Sequence, residues 1–258
     1  MNELAECRHG KMLYNVHDIY VGRSLKLYGE FSEGECEVFR QVVRPGWTVL
    51  ELGANIGAHT VCLAKLVGPR GRVIALEPQR VVFQTLCANV ALNNLQNVDC
   101  RHLAAGEISG SVIMPRMDYT QEFNFAGISV GLTKEGEQVQ LTTIDELELP
   151  ACHFIKLDIE GMEREAIQGA TKTINRFKPF LYVENDRPDR SDSLIQSIYD
   201  LGYRMYWHLP ALFSPSNYAG NSENVFGRTV SKNMLCVHKS IQHSVAGPEV
   251  SIPVGRLP

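Results

Sequence analysis

Val49-Leu50-Glu51-Leu52-Gly53-Ala54-Asn55-Ile56-Gly57 is the stretch on which the fold turns. An apolar run ends in an acid and then in a turn bounded by two glycines, and a segment with Val61, Leu63, Ala64 and Val67 at helical spacing follows. The run from Trp47 to Leu52 predicts a buried strand, and the segment after it a helix that stops at Gly68-Pro69. Gly53 and Gly57 leave no Cβ where backbone and ligand come close. The first turn of the helix carries N–H groups without partners, a ready place for a carboxylate or phosphate.

The same unit repeats outward. Val73–Leu76 predicts a second strand, Val81–Leu92 a helix and Val98–Leu103 a third strand, and this alternation implies a parallel sheet with helices on its faces, an α/β fold of Rossmann-like type. The buried-strand signal returns at Phe154–Leu157, Phe180–Val183, Tyr203–Trp207 and Met234–Val237. One helix carries Met162, Ala166, Ile167, Ala170 and Ile174 on a single face, and another spans Ser193–Leu201. Ser32 with Glu35 three residues on resembles a capping box for a helix running to Val43. Residues 1–31 read as a lead-in of short strands and turns, with Leu25-Lys26-Leu27-Tyr28 among its apolar clusters. Residues 32–240 are the main domain. Within it the alternation fails at 109–141, where Gly110, Pro115, Gly127, Gly131 and Gly136 predict an inserted hairpin or substrate loop. The tail 241–258, with Pro253 and Gly255, reads as flexible.

Composition narrows the function. A chain of 258 residues, 44% hydrophobic and 21% charged, is an ordinary globular one. A formal net charge of -4 with mixed signs lacks the basic stripe that nucleic acid needs, so none is expected as a partner. The 7 cysteines are scattered and never in a C-x-x-C spacing, as free thiols of a reducing cytoplasm would be. No apolar stretch is long enough for a membrane span, and no secretory leader is evident.

Three acidic positions carry the chemistry. Glu51 can accept a hydrogen bond from an amino group, and Glu77, ending the second strand before Pro78, can hold both ribose hydroxyls of an adenosine in a fork. A dinucleotide site prefers G-x-G-x-x-G, and here Asn55 stands at the middle glycine, where a pyrophosphate needs bare backbone. The third is Lys156-Leu157-Asp158-Ile159-Glu160-Gly161-Met162-Glu163, at the strand end where open α/β sheets bind substrate. Asp158, Glu160 and Glu163 could orient or deprotonate an acceptor hydroxyl, or could simply favour the dipole of the next helix. Asp158, Glu184 and Asn185 could form an oxygen set for Mg²⁺. His59 and His102 read as structural, and His208, following Tyr206-Trp207 at a strand end, is a candidate general base.

With these residues in place the chain resembles the FkbM-type class I S-adenosylmethionine methyltransferases. The likeness covers roughly residues 28 to 185 and rests on Tyr28-Gly29-Glu30, Pro45-Gly46, the Glu51–Gly57 segment, Ala75-Leu76-Glu77-Pro78, Asn89 through Asn93, Thr143-Ile144-Asp145 and Lys156–Gly161. The family's first acid is usually Asp where this chain has Glu51. The resemblance implies a seven-stranded sheet with an antiparallel last strand, S-adenosylmethionine across the first two strands, and O-methylation of a hydroxyl on a sugar or secondary metabolite. On that footing Glu51, Gly53, Asn55 and Gly57 hold the methionine portion, Glu77 the ribose, and Leu103-Ala104 the adenine. Asp158 touches both cofactor and acceptor, and Glu160 and His208 serve catalysis. An NAD-dependent oxidoreductase on the same fold and a non-catalytic S-adenosylmethionine-binding module are the alternatives.

Overall fold

A computed structural model describes residues 1–129, 133 and 135–252. Its elements begin with the hairpin β1 (Asn2–Cys7) and β2 (Gly10–Asn15), then α1 (Val21–Tyr28) and α2 (Glu33–Val42). Next come β3 (Thr48–Leu52), α3 (Ala58–Val67), β4 (Arg72–Leu76), α4 (Arg80–Leu92) and β5 (Val98–Arg101). A small sheet of β6 (Ala104–Ala105), β7 (Gly110–Met114) and β8 (Glu137–Thr142) follows. The chain then runs through β9 (Phe154–Leu157), α5 (Glu163–Gln168), α6 (Thr171–Phe177), β10 (Phe180–Glu184), α7 (Pro188–Asp200), β11 (Tyr203–His208) and β12 (Asn233–His238).

The main sheet has seven strands in the order β11-β12-β10-β9-β3-β4-β5, and β12 runs antiparallel to both its neighbours. Alternation along each strand divides the core in two. Leu50, Ile74, Ile155 and Leu181 pack on one face with Ile167 of α5, Ile174 of α6 and Ile198 of α7. Val49, Val73, Phe154 and Tyr182 pack on the other with Phe39 of α2, Leu63 of α3 and Leu86 of α4. The strand order reverses beside β3, so loops leaving β3, β4 and β9 diverge there and leave a crevice at the carboxyl end of the sheet.

Local readings are corrected in four places. Leu25–Tyr28, read with the strands and turns of the lead-in, belongs to α1, whose Val21, Leu25 and Tyr28 face the core and whose end is marked by Gly29 at φ 65. Ser32 makes no capping box: at φ 45 its hydroxyl donates to Glu35 Oε1 (2.8 Å) instead of serving a backbone N–H. The helix predicted across Met162–Ile174 is two helices. At Gly169 the backbone passes so close to the Gly106 carbonyl that a Cβ would not fit, and Asp145 then caps α6, accepting from the Lys172 (3.0 Å) and Thr173 (2.7 Å) N–H groups. Finally β5 stops at Arg101 rather than Leu103, where the chain turns into the small sheet.

In the 109–141 insert β7 and β8 pair antiparallel, and residues 115–129 cross to the lead-in and to the end of β4: Phe123 bridges Asp18, and the Phe125 carbonyl accepts from Gln79 Nε2 (2.7 Å). Gly131, named among the insert's glycines, lies outside the described residues. Residues 248–250 of the tail lie against β11: the Trp207 N–H donates to the Pro248 carbonyl (2.9 Å), the Val250 N–H to that of Met205 (2.8 Å), and Val250 is buried. Pro253 and Gly255 also lie outside the described residues. Among the described residues no helix is long and apolar enough to cross a membrane.

Candidate active site

A cleft of ≈ 840 Å³, counted with the solvent open to it, occupies the crevice beyond β3, β4 and β9. Its floor is the turn after β3. Gly53 sits at φ 74, and a Cβ there would run into the Asp158 carbonyl oxygen, so only glycine lets the β3 and β9 ends approach. Asn55, at φ 52, holds the left-handed turn by accepting the Ile56 N–H at Oδ1 (2.6 Å).

Two acids stand on either side of this floor. Glu77 accepts the Asn55 N–H at Oε2 (2.9 Å) and the Gln79 N–H at Oε1 (2.8 Å), leaving each oxygen a second lone pair. Burial pushes its carboxyl up to about 7. Glu51 accepts from the Thr60 hydroxyl at Oε2 (2.6 Å), and burial likewise lifts it to about 7. Leu103, Ala104, Ala126, Ile128 and Met162 make the apolar wall, Ile128 coming from the segment that crosses from the insert.

At the β9 end, Lys156 Nζ donates to Asp158 Oδ2 (2.8 Å). The lysine is buried, which works against its charge, but Asp158, Glu35 and Glu51 together hold its ammonium well above the ordinary lysine value. Burial also opposes charge on Asp158, and Lys156 overcomes it, holding that carboxyl below the usual range. Glu160, at φ 57, accepts from Arg187 Nη2 at Oε2 (2.8 Å), and burial with Asp158 nearby pushes it up to about 7. The site thus pairs an acid ionised throughout the neutral range with one that gains and loses its proton within it.

The family model of the Methyltransferase FkbM domain matches residues 51–205, which begin at the first of these acids and run past the last. The chain belongs to the FkbM methyltransferase family. Its fold is also that of a precorrin-6y C5,15-methyltransferase from Geobacter metallireducens GS-15, at TM-score 0.50 and 12% identity over 80% of this chain and 86% of that one. The FkbM methyltransferase from Methylobacillus flagellatus KT aligns at TM-score 0.48 and 20% identity over 78% of this chain, which spans 50% of that protein's length.

Within this FkbM domain Glu51, Gly53, Asn55, Glu77, Ala104, Asp158 and Glu160 all line the cleft. Gly57 does not. At φ 90 it begins α3 and faces α4, where a Cβ would come within 2.8 Å of Leu86 Cδ1. His208 is absent from the cleft as well: on β11, two strands beyond β10, its Nδ1 meets the Tyr182 hydroxyl at 2.7 Å, and burial lowers its pKa. Glu163 is occupied, accepting the Ile159 (3.0 Å) and Gly161 (3.2 Å) N–H groups and so bracing the loop that presents Glu160.

The oxygen set is also different from the one predicted. Carboxylate oxygens of Asp158, Glu160 and Glu184 lie within 4.8 Å of one another, whereas Asn185 Nδ2 points to Met234 Sδ (3.4 Å). Consecutive residues leaving β10 face opposite sides, so Glu184 and Asn185 are divided between them. Among the cleft residues to which sequence reasoning assigned no functional part are His59, Lys156 and Gln79. His59, read as structural, lines the cleft with Nε2 buried and unpartnered, and burial drives its pKa down to about 3. Lys156 also lines it, and its signal was visible as a lone lysine inside the apolar run Phe154–Leu157.

Proposed function

We propose that this chain binds S-adenosylmethionine in the cleft and transfers its methyl group to a hydroxyl of a small acceptor, a sugar or secondary metabolite. The observation that carries this is the pairing of Glu51 and Glu77 at the ends of adjacent strands, on either side of the Gly53–Asn55 turn, against an apolar wall. The donor set suits the cofactor. Glu77 keeps a free lone pair on each oxygen that would take the ribose diol, Glu51 would meet a cationic amino group, and Leu103, Ala104, Ile128 and Met162 would flank a flat base. When bound, the sulfonium supplies an electrophilic methyl group on an excellent leaving group, so alignment is the protein's main task.

Asp158, kept ionised by Lys156, accepts a hydrogen bond that orients the acceptor hydroxyl. Glu160, with its carboxyl near 7, takes the proton as the oxygen is methylated. The segment carrying Ala126 and Ile128, tied to the β9 loop by the Ser129 hydroxyl on the Glu160 carbonyl (2.7 Å), screens the cleft from water. Residues 109–141 and the lead-in, which supplies Val21 and Phe31 to the cleft, choose the acceptor. No step of this reading is routed through Mg²⁺: burial beside Asp158 and Glu160 raises the Glu184 carboxyl above its ordinary value, and Arg187 already pairs with Glu160. The seven free cysteines favour a cytoplasmic setting.

Titration calorimetry with S-adenosylhomocysteine beside NAD, followed by transfer of labelled methyl to a panel of sugar and metabolite alcohols, tests the reading. Binding of the homocysteine nucleoside with turnover on an alcohol is expected. NAD binding alone would sink it, and nucleoside binding with no acceptor turned over would favour a non-catalytic module.

A further inference from the structure

A second cluster of reactive side chains lies under the lead-in hairpin, away from the cleft. His9 comes from the β1–β2 turn, Cys36 from α2 and Cys62 from α3. One ring nitrogen of His9 and the two sulfurs lie within 4.8 Å of one another. Cys36 is 1% exposed and Cys62 2%, and both are free thiols. Buried cysteines commonly act as small apolar residues. That account leaves out the histidine between them and the carboxylate behind it: Glu33 Oε2 lies 2.7 Å from His9 Nε2, while Glu33 Oε1 accepts from Arg40 Nη2 at 2.7 Å.

We propose that His9, Cys36 and Cys62 form a structural zinc site that fastens the N-terminal hairpin to α2 and α3. Zinc takes sulfur at about 2.3 Å and imidazole nitrogen at about 2.0–2.1 Å, so tetrahedral ligands stand about 3.5–3.8 Å apart. The three donors, within 4.8 Å of one another, reach that spacing by closing about 1.3 Å at most, within the reach of side-chain torsions. Two thiolates and an imidazole are a soft donor set that selects zinc over magnesium or calcium. Glu33, held by Arg40, stands where carboxylates orient metal-bound histidines or complete the coordination themselves.

Binding displaces the two thiol protons, and the dication then faces two thiolates and Glu33, the excess negative charge being met by Arg40. The site involves no residue of the cleft, so it stands or falls separately from the methyltransferase reading.

The test is made on the full chain, reduced, loaded with Zn²⁺ and exhaustively dialysed, then assayed for metal by mass spectrometry. A parallel sample is loaded with Co²⁺ for absorption spectroscopy. About one zinc per chain and a thiolate-to-cobalt charge-transfer band in the near ultraviolet are expected. Cys62→Ser and His9→Ala should each lose both signals, and Cys152→Ser, altering a buried thiol elsewhere, should keep them. His9 lies in a half-buried turn, so its variant serves should Cys62→Ser fail to fold. Zinc retained equally by His9→Ala, no zinc in the parent chain, or a Cys36–Cys62 disulfide forming as fast with zinc as without it would each overturn the proposal.

Discussion

Glu77→Ala is the sharpest probe of the cleft. In the folded chain the Glu77 oxygens each accept one backbone N–H, from Asn55 and from Gln79, and each has one lone pair left for a ribose hydroxyl. A hydrogen bond to a charged group contributes roughly 1.5–3 kcal/mol, so two would contribute about 3–6 kcal/mol. The lower end applies, because the carboxylate is shared with two amides and burial lifts it to about 7, leaving it partly protonated at neutral pH. A loss of about 3 kcal/mol weakens binding about 100-fold. Calorimetric titration with S-adenosylhomocysteine reads this directly, and thermal melting of both proteins checks that the turn survives. The parent's affinity should also rise from pH 6 to pH 8, as more Glu77 ionises, and this rise should shrink in the variant. A folded Glu77→Ala protein that binds within about threefold of the parent, under 1 kcal/mol, would refute the assignment of Glu77 to the ribose.

Other expectations follow from the same geometry. Glu160→Gln should keep its contact with Arg187 and its nucleoside affinity while turnover falls about 10²- to 10⁴-fold, the usual contribution of a general base, and loses its dependence on a group near pH 7. Unchanged turnover would remove Glu160 from the chemistry. Gly53→Ala must adopt a left-handed backbone at about 1–2 kcal/mol and push the Asp158 carbonyl away at about 1–3 kcal/mol, so urea unfolding should show a loss of about 2–5 kcal/mol. Burial lifts Glu51 to about 7, so the folded chain holds a proton that the unfolded chain releases above its ordinary value of 4.5. That stabilising contribution, on the order of 3 kcal/mol, is complete below pH 4.5 and lost as pH rises through 7. Glu51→Gln should therefore gain stability relative to the parent between pH 5 and pH 8, and parallel urea curves for the two proteins would contradict it.

Much of the fold was legible because its signals are local. Alternation in Val49–Leu52 or Val73–Leu76 exposes the side of each residue that meets the core, and glycine at 53 or 57 announces a backbone that other residues rarely adopt. The misreadings came where local signals conflict with distant ones. Val21, Leu25 and Tyr28 carry helical spacing with Gly29 as a stop, but the run Leu25–Tyr28 taken alone looks like a strand. The break at Gly169 depends on Gly106 and Asp145, which no window around residue 169 contains.

The sequence by itself determined the parallel α/β plan, the glycine turn and the acids at strand ends, since strand period, helix period and turn conformation are properties of neighbouring residues. Only the tertiary structure decided which side chains meet. It turned Asn185 toward Met234 and Glu184 toward Asp158, set Lys156 against Asp158, opened His59 to the cleft while withdrawing His208 from it, and gathered His9, Cys36 and Cys62. The reason is that a strand's order in the sheet and the face a residue presents are fixed by the whole core closing at once, so groups far apart in the chain become neighbours only when the layers pack.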